Sequence, residues 1–245
     1  MPDLATPAGW LPLAFLAVMG LAMLAYVILD GYDLGVGLLL PLAGDADKDM
    51  MVASIGPFWD ANETWLVLGV GVLLVAFPLA HGVILTSLYL PVALIAAGSA
   101  LGALAQGYML GLYIIGFERG FAAHAFGALI AFCLAAGYVL LGANWLILKT
   151  EGELQRRAVT WARRALWGAA AGIGAVSVVT PLVSTRVFER WFALPEFLLL
   201  LPVPLATLAL LFAIDRSLAR LPVRLAQGNE YGVSVPFVST IGLYL

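Results

Sequence analysis

The feature that most constrains the fold is an uncharged stretch at residues 82–117, which contains no Asp, Glu, Lys or Arg. As an α-helix with a rise of about 1.5 Å per residue, it would be about 54 Å long. The apolar core of a bilayer is about 30 Å thick. The stretch is therefore too long for one membrane span and short for two full spans with a turn, and we interpret it as two shortened spans.

Composition extends the membrane interpretation to the whole chain. Of its 245 residues, 63% are hydrophobic and 11% are charged, against about 25% charged residues in soluble domains. The formal net charge of −3 leaves no basic excess with which to bind nucleic acid. These values exclude a soluble enzyme, a nucleic-acid-binding protein and a disordered chain. We predict an all-α, polytopic bundle of transmembrane helices that forms a single integral membrane domain over residues 1–245.

Apolar segments of about 20 residues mark the other predicted spans. They cover residues 10–29, 57–80, 122–148, 165–183 and 194–214, and a last apolar stretch begins near residue 233. The first segment has no basic residue before it, which favours a membrane span over a cleaved signal peptide.

The distribution of Lys and Arg predicts the orientation. Five basic residues lie in the predicted loop at 149–164 and three in the one at 216–224, whereas the link between these loops carries two. By the positive-inside rule the two basic loops are cytoplasmic. With two short spans in 82–117, Lys48 is cytoplasmic as well and the N-terminus lies outside.

Ligands for metals and haems are scarce. The single cysteine, Cys133, excludes an intrachain disulfide and a cysteine-built metal site, and His81 and His124 are the only histidines. Two histidines can ligate one haem but not several. A hydrogen-bonding role near the end of a span is the simpler explanation for each of them.

Ionisable groups at membrane depth are the best candidates for function, because each is costly there. Asp30 and Asp33 are three residues apart, so on a helix both carboxylates point to one side. Asp60 and Glu63 repeat this spacing at the start of the second span. Four carboxylates without a nearby Lys or Arg cannot all stay charged in a poor solvent, and such groups can pass protons.

The same residues are open to two other interpretations. Asp30 and Asp60, with the amide oxygen of Asn62, could hold a cation. Alternatively, Asp30, Asp60 and Glu63 are helix caps at the membrane interface, since Asp favours helix N-termini, and this explanation fits Asp60 better than Asp30.

Other residues predict helix contacts. Gln106 is the only amide side chain in 82–117, and we expect it to bridge helices. Gly31, Gly35 and Gly37 allow either close helix approach or a broken helix, of which we favour close approach.

Three segments resemble subunit II of the cytochrome bd-type quinol oxidases. They are YVILDGYDLGVG at 26–37, SIGPFWDANETWLV at 54–67 and GYVLLGANWLILKTEG at 137–152. Each mixes polar and apolar residues, and the three occur in the family's order. The resemblance covers residues 20–165 with one interruption, is looser thereafter, and is closer to the cyanide-insensitive branch.

The resemblance implies a subunit of a terminal respiratory oxidase in the bacterial cytoplasmic (inner) membrane, so that the N-terminus, which the Lys and Arg count places outside, lies in the periplasm. That complex oxidises quinol, reduces dioxygen to water and contains haem b and haem d, both expected on the haem-bearing subunit I. Subunit II packs on subunit I as a heterodimer, which a small accessory subunit can join, and is not catalytic alone. By position, Asp30 and Asp60 supply a cytoplasmic proton route, to which spacing adds Glu63 and Asp33.

The chain departs from this family pattern in two places. The family has nine spans, with a basic cytoplasmic loop and parts of two spans where this chain runs uninterrupted near 97–98, and its last span lies beyond residue 245. We therefore expect a missing segment near 97–98, which would explain the length of 82–117, and a truncated C-terminus.

Two other classes of protein remain open. A secondary transporter coupled to protons or sodium ions would bind its ion with the same carboxylates at a broken helix, although the other half of the chain lacks a second acidic broken helix. A purely structural subunit would use these carboxylates for no chemistry.

Overall fold

The computed structural model describes residues 6–95, 98–183, 185–194, 196–228 and 232–244. Across these ranges every element of regular secondary structure is a helix, so the predicted all-α fold is confirmed. Four helical stretches are long and apolar enough to cross a membrane, namely Pro7–Leu42, Phe121–Lys149, Gly152–Val183 and Glu196–Ala226. The chain is therefore a polytopic membrane protein.

The helices follow one another with short connections. In chain order they are α1 (Pro7–Leu39), α2 (Asp45–Ile55), α3 (Trp59–Ala76), α4 (Pro78–Ile95), α5 (Ser99–Ile114), α6 (Phe121–Lys149), α7 (Gly152–Val183), α8 (Thr185–Phe192), α9 (Glu196–Leu200), α10 (Pro202–Ala226) and α11 (Val235–Gly242). A short 3-10 turn, Leu40–Leu42, extends α1.

The first helix is longer than the predicted span 10–29. α1 continues through the acidic run and ends at Leu39, so Asp30 and Asp33 lie inside a continuous helix and do not close it. Hydropathy marks only the apolar part of a helix, whereas the backbone hydrogen bonds continue through polar residues, because every backbone group inside a membrane needs a partner. The glycines of this run therefore belong to an unbroken helix, as we favoured.

The uncharged stretch 82–117 contains two helices, as its length indicates. α4 has non-helical backbone angles at Leu88, and α5 begins after Gly98, which has a φ of 116° that an L side chain rarely adopts. His81 lies within the first turn of α4. Of the predicted junction at 97–98, Ala97 lies outside the described residues.

The two basic segments predicted as loops are largely helical. α7 includes most of 149–164, and α10 extends through 216–224. On α7 the apolar Leu154, Ala158 and Ala162 recur every four residues and are buried, whereas the arginines on the other faces are exposed. This amphipathic pattern is typical of a helix that continues beyond the membrane, with its apolar face on the bundle and its charged face in water.

α1 and α6 form the centre of the bundle. α1 packs against α3, α5 and α6, and α6 packs in addition against α7. A main core cluster includes Val36 of α1 and Leu146 of α6, and a second includes Phe126 and Ile130 of α6 beside α5. In lipid, helix association depends on close packing and interhelical hydrogen bonds, so glycine contacts and buried polar groups decide how these helices fit together.

Short polar contacts tie α2 to the start of α7. Asp47 accepts a hydrogen bond from the Arg157 guanidinium at 2.8 Å. On α2 itself, Lys48 lies 2.8 Å from the exposed Asp45 and lowers the pKa of that carboxyl by hydrogen bonding and by its charge. The end of α1 that leads into α2 therefore lies at the same end of the bundle as the basic start of α7.

Candidate functional site

Two carboxylates are buried in the last third of α1. Asp30 is 6% exposed and Asp33 is 5% exposed, and they are one helical turn apart. A carboxylate in apolar surroundings needs hydrogen-bond partners or a proton. Each of the two lies beside an amide side chain from a different helix, so together they link α1 to α3 and α5.

Asp33 is held by Asn62 of α3. The Asn62 amide nitrogen is 2.8 Å from Oδ2 of Asp33, 2.7 Å from the Tyr32 hydroxyl and 3.3 Å from the carbonyl oxygen of Leu29. The other carboxylate oxygen of Asp33, Oδ1, is buried and has no hydrogen-bond partner among the side chains that the structure describes. Asp33 therefore has one oxygen paired and one oxygen available to a proton or a water molecule.

Asp30 is held by Gln106 of α5. The Gln106 amide nitrogen lies 3.2 Å from Oδ2 of Asp30 and 2.7 Å from the Tyr26 hydroxyl. At its other end, the Gln106 carbonyl oxygen accepts a hydrogen bond of 2.5 Å from the hydroxyl of Tyr138 on α6. We call the set Tyr26, Asp30, Gln106 and Tyr138 the Gln106 network.

Glycines allow α1 and α6 to approach closely enough for this arrangement. A Cβ at Gly31 would lie 2.8 Å from ring carbons of Tyr138, and one at Gly35 would clash with the backbone of Tyr138 and Gly142. On α6, a Cβ at Gly142 would clash with the backbone of Gly35. The expectation that these α1 glycines serve close helix approach is therefore confirmed for Gly31 and Gly35.

Aromatic side chains cover the Asp33 side of the site. Tyr32 stacks on Trp145 with ring centroids 4.1 Å apart, and Phe237 lies 5.4 Å from the same indole. The Lys149 ammonium lies 4.9 Å from the centroid of Trp145, close enough for a cation–π contact. These rings adjoin the site through Tyr32, whose hydroxyl accepts a hydrogen bond from the Asn62 amide.

The structure brings only some of the predicted site residues together. Asp30 and Asp33 are buried one helical turn apart, and the Asn62 amide nitrogen donates to Asp33. Glu63 lies on the exposed side of α3. Asp60 is part of α3, but its side chain lies outside the described part of the structure.

The helix-bridging role expected of Gln106 is confirmed, since it connects α5 to α1 and α6. Sequence reasoning missed the three tyrosine hydroxyls, at Tyr26, Tyr32 and Tyr138. One signal was present, because Tyr26 and Asp30 are four residues apart and therefore lie on one face of a helix.

Within the described residues, no group of three His, Cys, Asp or Glu side chains converges as a metal site. A cation site formed by Asp30, Asp60 and Asn62 stays a prediction, because it needs the Asp60 side chain.

Haem does not fit the described residues either. His81 lies on α4 and His124 on α6, where its Nδ1 is 2.5 Å from the Tyr108 hydroxyl. Cavities of about 280 Å³ and 550 Å³ border α7, and both are lined mainly by apolar residues, with neither histidine among them. Among the described residues, neither histidine lines a cavity in which it could serve as an axial ligand of a haem.

The arrangement can hold and move protons. Two carboxylates lie in a setting where charge is costly, and amide and hydroxyl groups surround them at hydrogen-bond distance. Both carboxylates are nearer to the end of α1 that adjoins α2 and the basic start of α7, which the contact of Asp47 with Arg157 brings together.

Comparison with known proteins identifies the family. The model of the family described as cytochrome bd terminal oxidase subunit II matches in two stretches, residues 11–98 and 93–245. Cytochrome bd ubiquinol oxidase subunit 2 of Bacillus subtilis strain 168 is 34% identical over 76 residues, 30% of this chain and 22% of the relative. Cytochrome bd-I ubiquinol oxidase subunit 2 of Escherichia coli K12 is 32% identical over 82 residues, 33% of this chain and 22% of the relative.

A longer alignment joins the chain to a probable cytochrome oxidase subunit 2 of Haemophilus influenzae. It is 27% identical over 184 residues and covers 56% of this chain and 49% of that protein. The chain thus spans about a fifth to a half of the length of these relatives. Because the family model covers nearly all of the chain, the chain belongs to the cytochrome bd terminal oxidase subunit II family.

Proposed function

We propose that this chain is subunit II of a terminal respiratory oxidase that oxidises quinol and reduces dioxygen to water. Its family membership and the names of its relatives in Bacillus subtilis and Escherichia coli support this function. The observation that carries the chain's own role is the pair of buried carboxylates on α1, Asp30 and Asp33, each with an amide partner.

Haem b and haem d belong, in this proposal, to the partner chain, the haem-bearing subunit I. When bound there, the haems carry electrons and provide the site of dioxygen reduction. The poor fit of haem to the described residues of this chain supports that division. This chain packs on subunit I in the lipid bilayer as a heterodimer, which a small accessory subunit can join, and is not catalytic alone.

The role of this chain is a proton route from the cytoplasm. Reduction of dioxygen to water consumes protons, and a buried carboxylate can take up and release a proton where water is excluded. The Oδ1 atom of Asp33 is buried and lacks a hydrogen-bond partner within the described part of the chain, and Asp30 lies one turn further from the α2 end of the helix. Asp60 and Glu63 of α3 complete the proposed route toward the aqueous side.

The proposed orientation places the N-terminus in the periplasm. The acidic part of α1 lies at the end of the bundle that carries Arg157, Arg163 and Arg164 of α7, and basic residues favour the cytoplasmic side. The proposed location is the bacterial inner membrane.

We also propose that a segment found in other family members is missing near residues 97–98. The family model matches in two stretches that meet at 93–98, and the helices on either side, α4 and α5, have 18 and 16 residues. Membership of the cyanide-insensitive branch stays a prediction.

A secondary transporter is not favoured by the structure. That class would use a broken helix at the acidic run, whereas α1 is continuous from Pro7 to Leu39.

The proposed proton route is tested by carboxylate-to-amide substitution in the intact complex. The tagged chain is purified in mild detergent from its native host, and oxygen consumption with quinol is recorded beside a reduced-minus-oxidised spectrum. We expect Asp30→Asn and Asp60→Asn to lower turnover by at least about tenfold, as for loss of a proton-transferring group, with the haem bands retained. Asp45→Asn removes an exposed carboxylate on α2 and should leave turnover unchanged.

Two results would contradict different parts of this proposal. Normal turnover in both Asp30→Asn and Asp60→Asn would show that the chain is a structural subunit with no proton route. A colourless preparation without a second, larger polypeptide would overturn the oxidase assignment itself.

A further inference from the structure

Gln106 is a buried amide whose two ends both have partners. Its side chain is on α5 and is 8% exposed. The amide nitrogen donates to the Tyr26 hydroxyl and to Asp30, and the amide oxygen accepts from the hydroxyl of Tyr138. It therefore joins a carboxylate of α1 to a hydroxyl of α6 through a single side chain.

The direction of the Gln106 amide matters to Asp30. A carboxamide donates from one end and accepts at the other. With its NH₂ group toward Asp30 it can donate to the carboxylate. Turned around, it would present an oxygen to the carboxylate oxygen, and two acceptors would face each other. The hydroxyl of Tyr138, by donating to the amide oxygen, favours the first orientation.

Tyr138 is itself fixed in place. Its side chain is fully buried, and its ring lies against Gly31, where a Cβ would come within 2.8 Å of two ring carbons. The absence of a side chain at Gly31 lets the ring lie close to α1, where its hydroxyl donates to Gln106. The glycine, the tyrosine and the amide thus form one unit around Asp30.

We propose that Gln106 is a positioning residue for Asp30 and that Tyr138 sets the direction of its amide. The amide holds the carboxylate in one orientation and supplies an N–H group to it once the proton has left. This inference rests on the proposed function, because it assigns to Gln106 a part in proton transfer through Asp30. It concerns a residue that carries no titratable group of its own.

Two substitutions in the intact complex test the proposal. Gln106→Met keeps the size of the side chain and removes both ends of the amide, and Tyr138→Phe removes only the hydroxyl that orients it. We expect turnover to fall about tenfold in Gln106→Met and about threefold in Tyr138→Phe, as for loss of hydrogen bonds to a charged and to a neutral group. The KM for quinol and the haem content should stay unchanged, and the solvent deuterium isotope effect on turnover should rise, because proton transfer becomes slower than the other steps.

Gln155→Met is the matched control. Gln155 of α7 is also a buried amide, and it donates to the carbonyl oxygen of Ile147 at 2.9 Å, away from the carboxylates. Gln155→Met should have the same solvent deuterium isotope effect as the wild type, even if the lost hydrogen bond lowers its stability.

The outcomes separate this inference from the proposed function. Wild-type turnover and isotope effect in both Gln106→Met and Tyr138→Phe, alongside a defective Asp30→Asn, would overturn only the role of Gln106. A fall in turnover that merely follows a loss of haem, without a change in isotope effect, would make Gln106 structural. If Gln106→Met fails to assemble, Tyr138→Phe decides. Normal turnover in Asp30→Asn would overturn the role of Gln106, and normal turnover in Asp60→Asn as well would overturn the proposed proton route.

Discussion

At the scale of single residues, the contact between Asp33 and Asn62 is the best test of how a carboxylate is kept inside this bundle. The Asn62 amide supplies the hydrogen bond that Oδ2 of Asp33 receives at 2.8 Å. Asn62→Leu leaves the buried Asp33 carboxylate without this hydrogen bond, and Asp33→Leu removes one of the three acceptors around the Asn62 amide nitrogen. Each change should cost about 1–3 kcal/mol and lower the melting temperature of the purified complex. The double variant should lose less than the sum of the two, because neither partner remains. Strictly additive losses would contradict a direct coupling.

The residue scale also shows what could and could not be predicted. Asp30 and Asp33 were identifiable because charge inside a membrane is costly, and Gln106 because it is the only amide in its stretch. The sequence did not show which of Asn62 and Glu63 is buried. Neighbouring residues on a helix point about 100° apart, and only the packing of α3 decides which of the two faces the bundle. The tyrosine partners depend in the same way on how each helix is rotated.

At the scale of helices, the contact of α1 with α6 at Gly35 and Gly142 is the tightest point of the carboxylate region. A methyl group on Gly35 would clash with the backbone of Tyr138, which cannot move as a flexible side chain would. We expect Gly35→Ala to destabilise the complex by about 1–3 kcal/mol, as for overpacking of a core, and to lower its yield and melting temperature. Gly20→Ala, on the same helix with nothing within 4 Å, is the control. Equal stability of the two variants would contradict this role for Gly35.

Helix existence was easier to predict than helix length. The predicted span 122–148 corresponds closely to α6, Phe121–Lys149, because its apolar segment coincides with the helix. α1, α7 and α10 extend beyond their apolar segments, since hydropathy does not register amphipathic turns such as those of α7 that carry arginines. The α1 extension is the most important of these differences, because it places the carboxylates inside a rigid helix.

At the scale of the whole molecule, function depends on which end of the bundle faces the cytoplasm. The buried carboxylates of α1, the paired Asp47 and Arg157 and the basic start of α7 share one end. A proton route from the cytoplasm requires that this end be the inner one, which positive residues favour. The proposed direction of proton entry therefore depends on the membrane orientation, and an experiment that shows the reverse orientation would also reject the direction.

A pair of cysteine substitutions at the two ends of α6 tests that orientation. Glu118 precedes α6 and Glu151 follows it, and both are exposed, so α6 places them on opposite sides of the membrane. In a Cys133→Ser background, a membrane-impermeant maleimide should label Glu118→Cys in intact spheroplasts and Glu151→Cys only after the membrane is opened. The reverse pattern would put the carboxylate end outside and remove the cytoplasmic proton route. Labelling of both positions in intact spheroplasts would contradict a single crossing by α6, because a helix of 29 residues is about 43 Å long and its two ends cannot share one surface.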